Sequence, residues 1–289
     1  MQTRAFRLAI LGAALLSPAL ATGSELDVVA TTSRAVYHAR RAGDVDVRRS
    51  EAFLERLDRL FGAAPNGARI EYFRHDGVAE MQALVGFAAV GVTDLATGRI
   101  DSVKAYHPHE LVHAAAGRLG RPSALFSEGL AVALTSEGEW KGRRLDEVAR
   151  EFTSRGGQLR ELLVGFALAD ADRDYALAGS FVSFLLDRYG VDTMKAFLRG
   201  CDGSPRAIER SLVAAYGRSF AALESEWSSA VASPAPAARA WHDAATWPAS
   251  LQVAVASRPA PAAVAAAAAS GAGPLRMALT AALEPAPAR

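Results

Sequence analysis

Five consecutive residues, His109-Glu110-Leu111-Val112-His113, carry the densest chemistry in the chain. Residues four apart on a helix lie on one face, a single turn from each other. His109 and His113 can therefore offer two imidazoles to one cation. Glu110 follows His109 by one step and falls beside that cation rather than on it, where a general base for a metal-bound water belongs. Leu111, Val112 and residues 114–116, all alanine, give the helix an apolar body. The polar trio is then at least partly buried, and buried polar groups need partners that a metal ion supplies. The competing reading is an exposed helix with an i,i+4 histidine pair and a solvated glutamate.

Catalytic zinc takes three protein ligands and keeps one position for water. Cys201 is the only cysteine, so an intrachain disulfide and a thiolate metal site are both excluded. The third ligand must be another histidine or a carboxylate. Glu128, in Ser127-Glu128-Gly129-Leu130-Ala131, stands among Leu125, Phe126, Leu130, Val132 and Leu134. A carboxylate in such a stretch is costly without a compensating charge, so Glu128 is the expected third ligand. Against this stands an exposed position in the first turn of its helix. Glu137 and Glu139 are the alternative ligands, next to a turn expected at Gly138.

The elements that must position these groups follow from pattern. Pro108 suits a first helical position, and Gly120 suits a C-terminal cap ahead of Pro122. Residues 117–123 can reverse the chain, and Ser123 can cap a second helix over residues 124–135. Upstream, residues 26–30 and 34–38 read as short extended segments. Residues 48–61 read as an amphipathic helix on the spacing of Phe53, Leu54, Leu57, Leu60 and Phe61. Residues 68–73 read as a strand, 78–84 as a short helix, and 90–103 as a hairpin turning at 96–98. Downstream, helices are expected over 181–189 (stopped by Gly190), 193–199, 205–216 and 220–231, with Asp192, Ser204 and Ser219 as caps. Strands first and helices later argue for an α+β fold.

Arg4 and Arg7 precede an apolar stretch over residues 8–20, and Ala19-Leu20-Ala21 offers small residues for cleavage. This is the layout of a secretory signal, too short to span a bilayer; an uncleaved anchor is the alternative. The expected division is 1–21 signal peptide, 22–232 globular domain, and 233–289 Ala/Pro-rich C-terminal extension. That extension reads as a linker or weakly ordered tail, with a short helix possible at residues 274–283. Export to the periplasm or the extracellular space follows, without stable membrane insertion after signal removal. The 32 basic and 31 acidic residues leave a net charge of +1, which argues against a nucleic-acid partner. Oligomeric state is not legible.

The motif segment HELVH, then SEGLA, then residues 175–182 (YALAGSFV) and 185–190 (LLDRYG) resemble the gluzincin clan of metallopeptidases, in particular the bacterial peptidase MA-like domains. The resemblance covers roughly residues 70–227. It implies a zincin-like fold, with a small N-terminal sheet and active-site helix followed by a mainly helical part. It also implies zinc on His109, His113 and Glu128, with Glu110 as base, and a hairpin at 91–103 lining a cleft. The interval from His113 to Glu128 is shorter than in the best-known gluzincins. Ala116 and Leu119 exclude the metzincin continuation. Tyr175 resembles the transition-state-stabilising tyrosine of related aminopeptidases, although Gly179 lies one residue further on than in that pattern. Tyr175 is thus either an oxyanion donor or a core aromatic under the 181–189 helix. Tyr106 and His107 read as ordinary loop residues at the helix entrance, with a place in the lining of the cleft as the alternative.

These readings point to an exported zinc-dependent hydrolase, most simply a peptidase, acting on a peptide or protein through a metal-bound water. Alternatives are a zincin-fold envelope protein that binds peptide or cell-envelope partners without catalysis, and an exported protein in which the motif is accidental.

Overall fold

The computed structural model describes residues 26–163, 165–166, 170–233 and 277–280. The expected signal and most of the Ala/Pro-rich extension lie outside the described residues. The chain opens with β1 (Asp27–Thr31), β2 (Ala35–Ala39), α1 (Val47–Phe61), β3 (Ile70–Arg74), α2 (Val78–Val85), β4 (Gly91–Asp94) and β5 (Arg99–Ser102). Within a six-stranded sheet these five run in the order β1-β2-β3-β5-β4, and a strand from the C-terminal extension follows β4. β2, β3 and β5 run parallel, and β1 and β4 pair antiparallel at either side. The structure is thus mixed α/β and compatible with an α+β class, but its strands are interleaved with α1 and α2 rather than simply preceding the helices. Parallel neighbours cannot be joined by a tight turn, and α1 serves as the crossover from β2 to β3.

Helix α1 starts where Asp46 accepts a hydrogen bond from the Arg49 amide at 3.1 Å and stops at Gly62. Its Phe53, Leu54, Leu57 and Phe61 are buried, as are Tyr37, Ile70, Tyr72 and Ile100 of the sheet. Each such side chain contributes about 1.5–3 kcal/mol on burial.

Beyond the sheet come α3 (Pro108–Gly117), α4 (Ala124–Thr135), a two-residue-per-strand hairpin of β6 (Glu139–Trp140) and β7 (Arg143–Arg144), and α5 (Leu145–Ser154). Then follow α6 (Ala171–Arg199), α7 (Pro205–Tyr216) and α8 (Phe220–Ala232). Helix α6 begins ten residues ahead of the expected 181 and breaks at Gly190 (φ 80°, ψ 166°). Its first turns lack a clean apolar period because Asp172, Arg173 and Asp174 sit there. Ser204 and Ser219 cap α7 and α8 through their side chains, whereas Ser123 precedes α4 without such a bond. In the C-terminal extension the short helix expected at 274–283 is replaced by a strand, β8 (Met277–Thr280), antiparallel to β4. An open sheet edge offers unpaired backbone groups to any extended segment that reaches it.

Helices α3 and α4 pack on each other, and α4 packs along α6. The close approach of α4 to α6 runs through Gly129, where a Cβ would lie 2.5 Å from the Ala178 carbonyl oxygen and 2.6 Å from Val182 Cγ2. Gly129→Ala must push the two helices apart. A loss of about 1–3 kcal/mol in unfolding free energy is expected, measured by urea denaturation; an unchanged midpoint would contradict this packing.

Candidate metal centre

Pro108 opens α3, and His107 stands at its N-cap position. The helix lies between the sheet and α4, so both motif histidines and the intervening glutamate are enclosed. His109 is 5%, Glu110 0%, His113 1% and Glu128 5% exposed. The reversal between α3 and α4 brings Glu128 across from the histidines. One carboxylate oxygen, Glu128 Oε2, lies 2.9 Å from His109 Nε2 and 3.2 Å from His113 Nε2. The two rings stand edge to face at 4.7 Å. Glu137 and Glu139 are exposed and stand outside this group.

The donor set fits a cation. Ligand atoms about 2.0–2.1 Å from a tetrahedral ion are about 3.3 Å apart, close to the two nitrogen–oxygen separations here. All three ligand atoms lie within 4.8 Å of one another. His113 Nε2 is buried and has no properly directed hydrogen-bond partner among the described residues, despite its 3.2 Å approach to Glu128. The opposite nitrogen, Nδ1, lies 3.1 Å from Ser127 Oγ. With Nδ1–H donating to Ser127, Nε2 keeps its lone pair for an ion. His109, His113 and Glu128 thus form a buried group able to hold a metal.

Electrostatics within the group are strongly coupled. Burial alone would raise the Glu128 carboxyl, but His113 and His109 outweigh it and lower its pKa to about 2. Burial would lower His113, yet the charge of the Glu128 carboxylate, 3.2 Å away, and then the charge of Glu110 raise it above its ordinary value.

Glu110 is in contact with the sheet. Its Oε2 accepts a hydrogen bond from Thr93 Oγ on β4 at 2.7 Å. His107 is 2% exposed. Its Nδ1 lies 2.9 Å from Ser102 Oγ and its Nε2 3.3 Å from Lys104 Nζ. Burial and the positive charge of Lys104 push its pKa well below the usual histidine value. His107 is therefore a neutral anchor tying the start of α3 to β5, not an ordinary loop residue. Tyr106 packs edge-on against Phe53 of α1.

Tyr175, on α6, is 1% exposed and stands edge to face with His109 at 6.0 Å. Burial, then the charges of Glu128 and Glu110, then a hydrogen bond to Glu128 raise its pKa well above 10, so the hydroxyl keeps its proton. Trp140 of β6 stacks on the Tyr175 ring at 5.0 Å and lies 6.4 Å from the His109 ring. Tyr175 is thus both a packed aromatic and a neighbour of the ligand group. Thr93, Ser127 and Trp140 escaped the sequence reading, and His107 was read only as a loop residue. Ser127 alone carried a local signal, as a hydroxyl beside the expected ligand.

No protein-family model, no curated protein and no solved structure matches this chain.

The coupled charges give the metal-free chain a pH signature. Glu128 is lowered from 4.5, so its contribution is present above pH 4.5 and lost as pH falls toward about 2. His113 is raised from 6.5, so its contribution is present below pH 6.5 and lost as pH rises through its elevated value. In chelator, the melting-temperature difference between wild type and Glu128→Gln should be widest between pH 4.5 and 6.5. A difference independent of pH would contradict the ion pair.

Proposed function

We propose that the chain is an exported zinc-dependent hydrolase, most simply a peptidase, with a zincin-like, gluzincin-type active centre. The observation that carries this reading is the convergence of His109 Nε2, His113 Nε2 and one Glu128 oxygen in a buried cluster, with Glu110 of the same helix beside it. Two imidazoles and a carboxylate are the donor set of zinc hydrolases with a fourth position left for water. A bound zinc ion supplies Lewis acidity, making water a stronger acid and polarising a carbonyl oxygen.

The remaining work falls to the chain's own groups. Glu110 accepts a proton from the attacking water on its carboxylate and delivers it to the leaving amine. Its enclosure at 0% exposure keeps that proton from bulk solvent. The Tyr175 hydroxyl, protonated across the neutral range, donates to the oxygen on which negative charge develops. Ser127 holds the His113 ring so that Nε2 faces the cluster. The apolar walls of α3 and α4 exclude competing water and strengthen each of these interactions.

A second reading, an envelope protein of the same fold that binds peptide or cell-envelope partners without turnover, draws on the burial of Glu110 and Tyr175. One set of samples separates the two. Purified wild type is expected to hold one zinc per chain, His113→Ala none, and Glu110→Gln one zinc with peptide hydrolysis reduced by at least about a hundredfold. Zinc without hydrolysis in wild type, unchanged by Glu110→Gln, selects the binding reading. Absence of zinc from wild type removes both.

Hydrolysis should also decline below about pH 6, because ligand histidines with a reference pKa near 6.5 must be deprotonated. Full activity at pH 4 would contradict a histidine-held metal.

A further inference from the structure

We propose that Thr93 is a positioning residue for the proposed base, holding the Glu110 carboxylate in a single orientation against β4. This rests on the hydrolase reading above.

The argument begins with the strand. Successive residues of β4 face opposite ways, and Thr93 turns its side chain to α3 rather than to solvent; it is 0% exposed. A threonine hydroxyl has one hydrogen to donate. Two acceptors lie near it, both on Glu110: Oε2 at 2.7 Å and the backbone carbonyl oxygen at 3.2 Å. An ionised carboxylate and a carbonyl are acceptors only, so Thr93 is the donor. The shorter contact, to the charged group, is the stronger.

A second feature restricts the same side chain. Gly91, two residues earlier on β4, lies so near α3 that a Cβ there would fall 2.9 Å from Glu110 Cγ and 2.3 Å from the His107 ring. The strand backbone is thus the wall against which the stem of Glu110 rests, while Thr93 holds its head. β4 is itself pinned, paired to β5 on one side and to β8 on the other. The residue before the first ligand, His107, is tied to Ser102 of β5. The two strands next to the motif therefore hold α3 at His107 and at Glu110, leaving His109 and His113 to face α4.

Thr93 thereby fixes the Oε2 end of the carboxylate against β4. Loss of the hydroxyl removes the donor that holds Oε2 in place. The ligand nitrogens and Glu128 are not touched by Thr93, so metal binding is spared while the proton-transfer step suffers.

The test uses the full chain as wild type, Thr93→Val and Thr93→Ser, with Thr93→Ala as a second deletion of the hydroxyl should valine perturb folding. Zinc content is measured alongside kcat and KM on the fastest-cleaved member of a quenched-fluorescent peptide library. Thr93→Val should keep its zinc, hold KM within about twofold and lose about 10–100-fold in kcat, the range typical of groups that orient an active-site residue. Thr93→Ser should recover most of that loss, because it restores the hydroxyl without the methyl. Equal kcat in Thr93→Val and wild type overturns the proposal. So does an equal loss in Thr93→Ser, which would assign the effect to packing. A double-mutant cycle of Thr93→Val with Glu110→Leu, which removes the acceptor, read on urea midpoints, tests the bond without turnover: non-additivity is expected, and additivity overturns it. A wild type that cleaves no library member overturns the hydrolase reading itself, and the catalytic part of this inference falls with it.

Discussion

Glu128 carries its charge where water scarcely reaches, and the structure around it is arranged to tolerate that charge. A carboxylate at 5% exposure among Leu125, Phe126, Leu130 and Val132 would be strongly destabilising alone. Two imidazole nitrogens from α3 compensate it, which requires α3 and α4 to lie side by side in one register. That register requires a short reversal between them. It also requires Gly129 beside Glu128, because α6 seals the far side of α4 at a separation no side chain at 129 would allow. One buried charge thus sets the relation of three helices.

The sheet serves the same centre from the other side. Its mixed order places β5 and β4 next to α3, and these strands supply the polar groups that meet the front of the motif helix: Ser102 for His107 and Thr93 for Glu110. Tyr175 and Trp140 close the remaining side from α6 and from the β6–β7 hairpin, with Lys141 of that hairpin 2.5 Å from Asp172 on α6. The group is therefore surrounded by both the sheet and the helices, although the three candidate ligands come from only two helices.

What could be read from sequence alone was what is encoded locally. The motif histidines, Glu110 and Glu128 are legible because i,i+4 spacing and an apolar surround are properties of a few adjacent residues. Helix α1, the β4–β5 hairpin, α7 and α8 were legible through period and caps, with boundaries displaced by a residue or two. The β6–β7 hairpin was not, since two residues per strand leave no alternation to detect. Helix α5 and the first turns of α6 were missed because their charged faces interrupt the apolar count. Thr93 and His107 were opaque for a different reason: a threonine in a strand and a histidine in a loop acquire meaning only from what packs against them. The helix expected at 274–283 failed because an alanine-rich segment has helical propensity in isolation, whereas β4 offers it a ladder of hydrogen bonds.

The ligand set is compact along the chain as well as in space. His109 and Glu128 are 19 residues apart, whereas Tyr175 lies 66 positions beyond His109 (175 − 109). Loop-closure entropy grows with the logarithm of the interval, so joining the ligands costs about 1 kcal/mol less than recruiting the tyrosine. Thr93 is also near, 17 residues before Glu110. The α3–α4 hairpin with β4 can thus gather the ligands and the glutamate while α6 to α8 are still unplaced. If the proposed ion binds, such an order of assembly lets it enter an open nucleus, around which the later helices close, rather than having to penetrate a finished core.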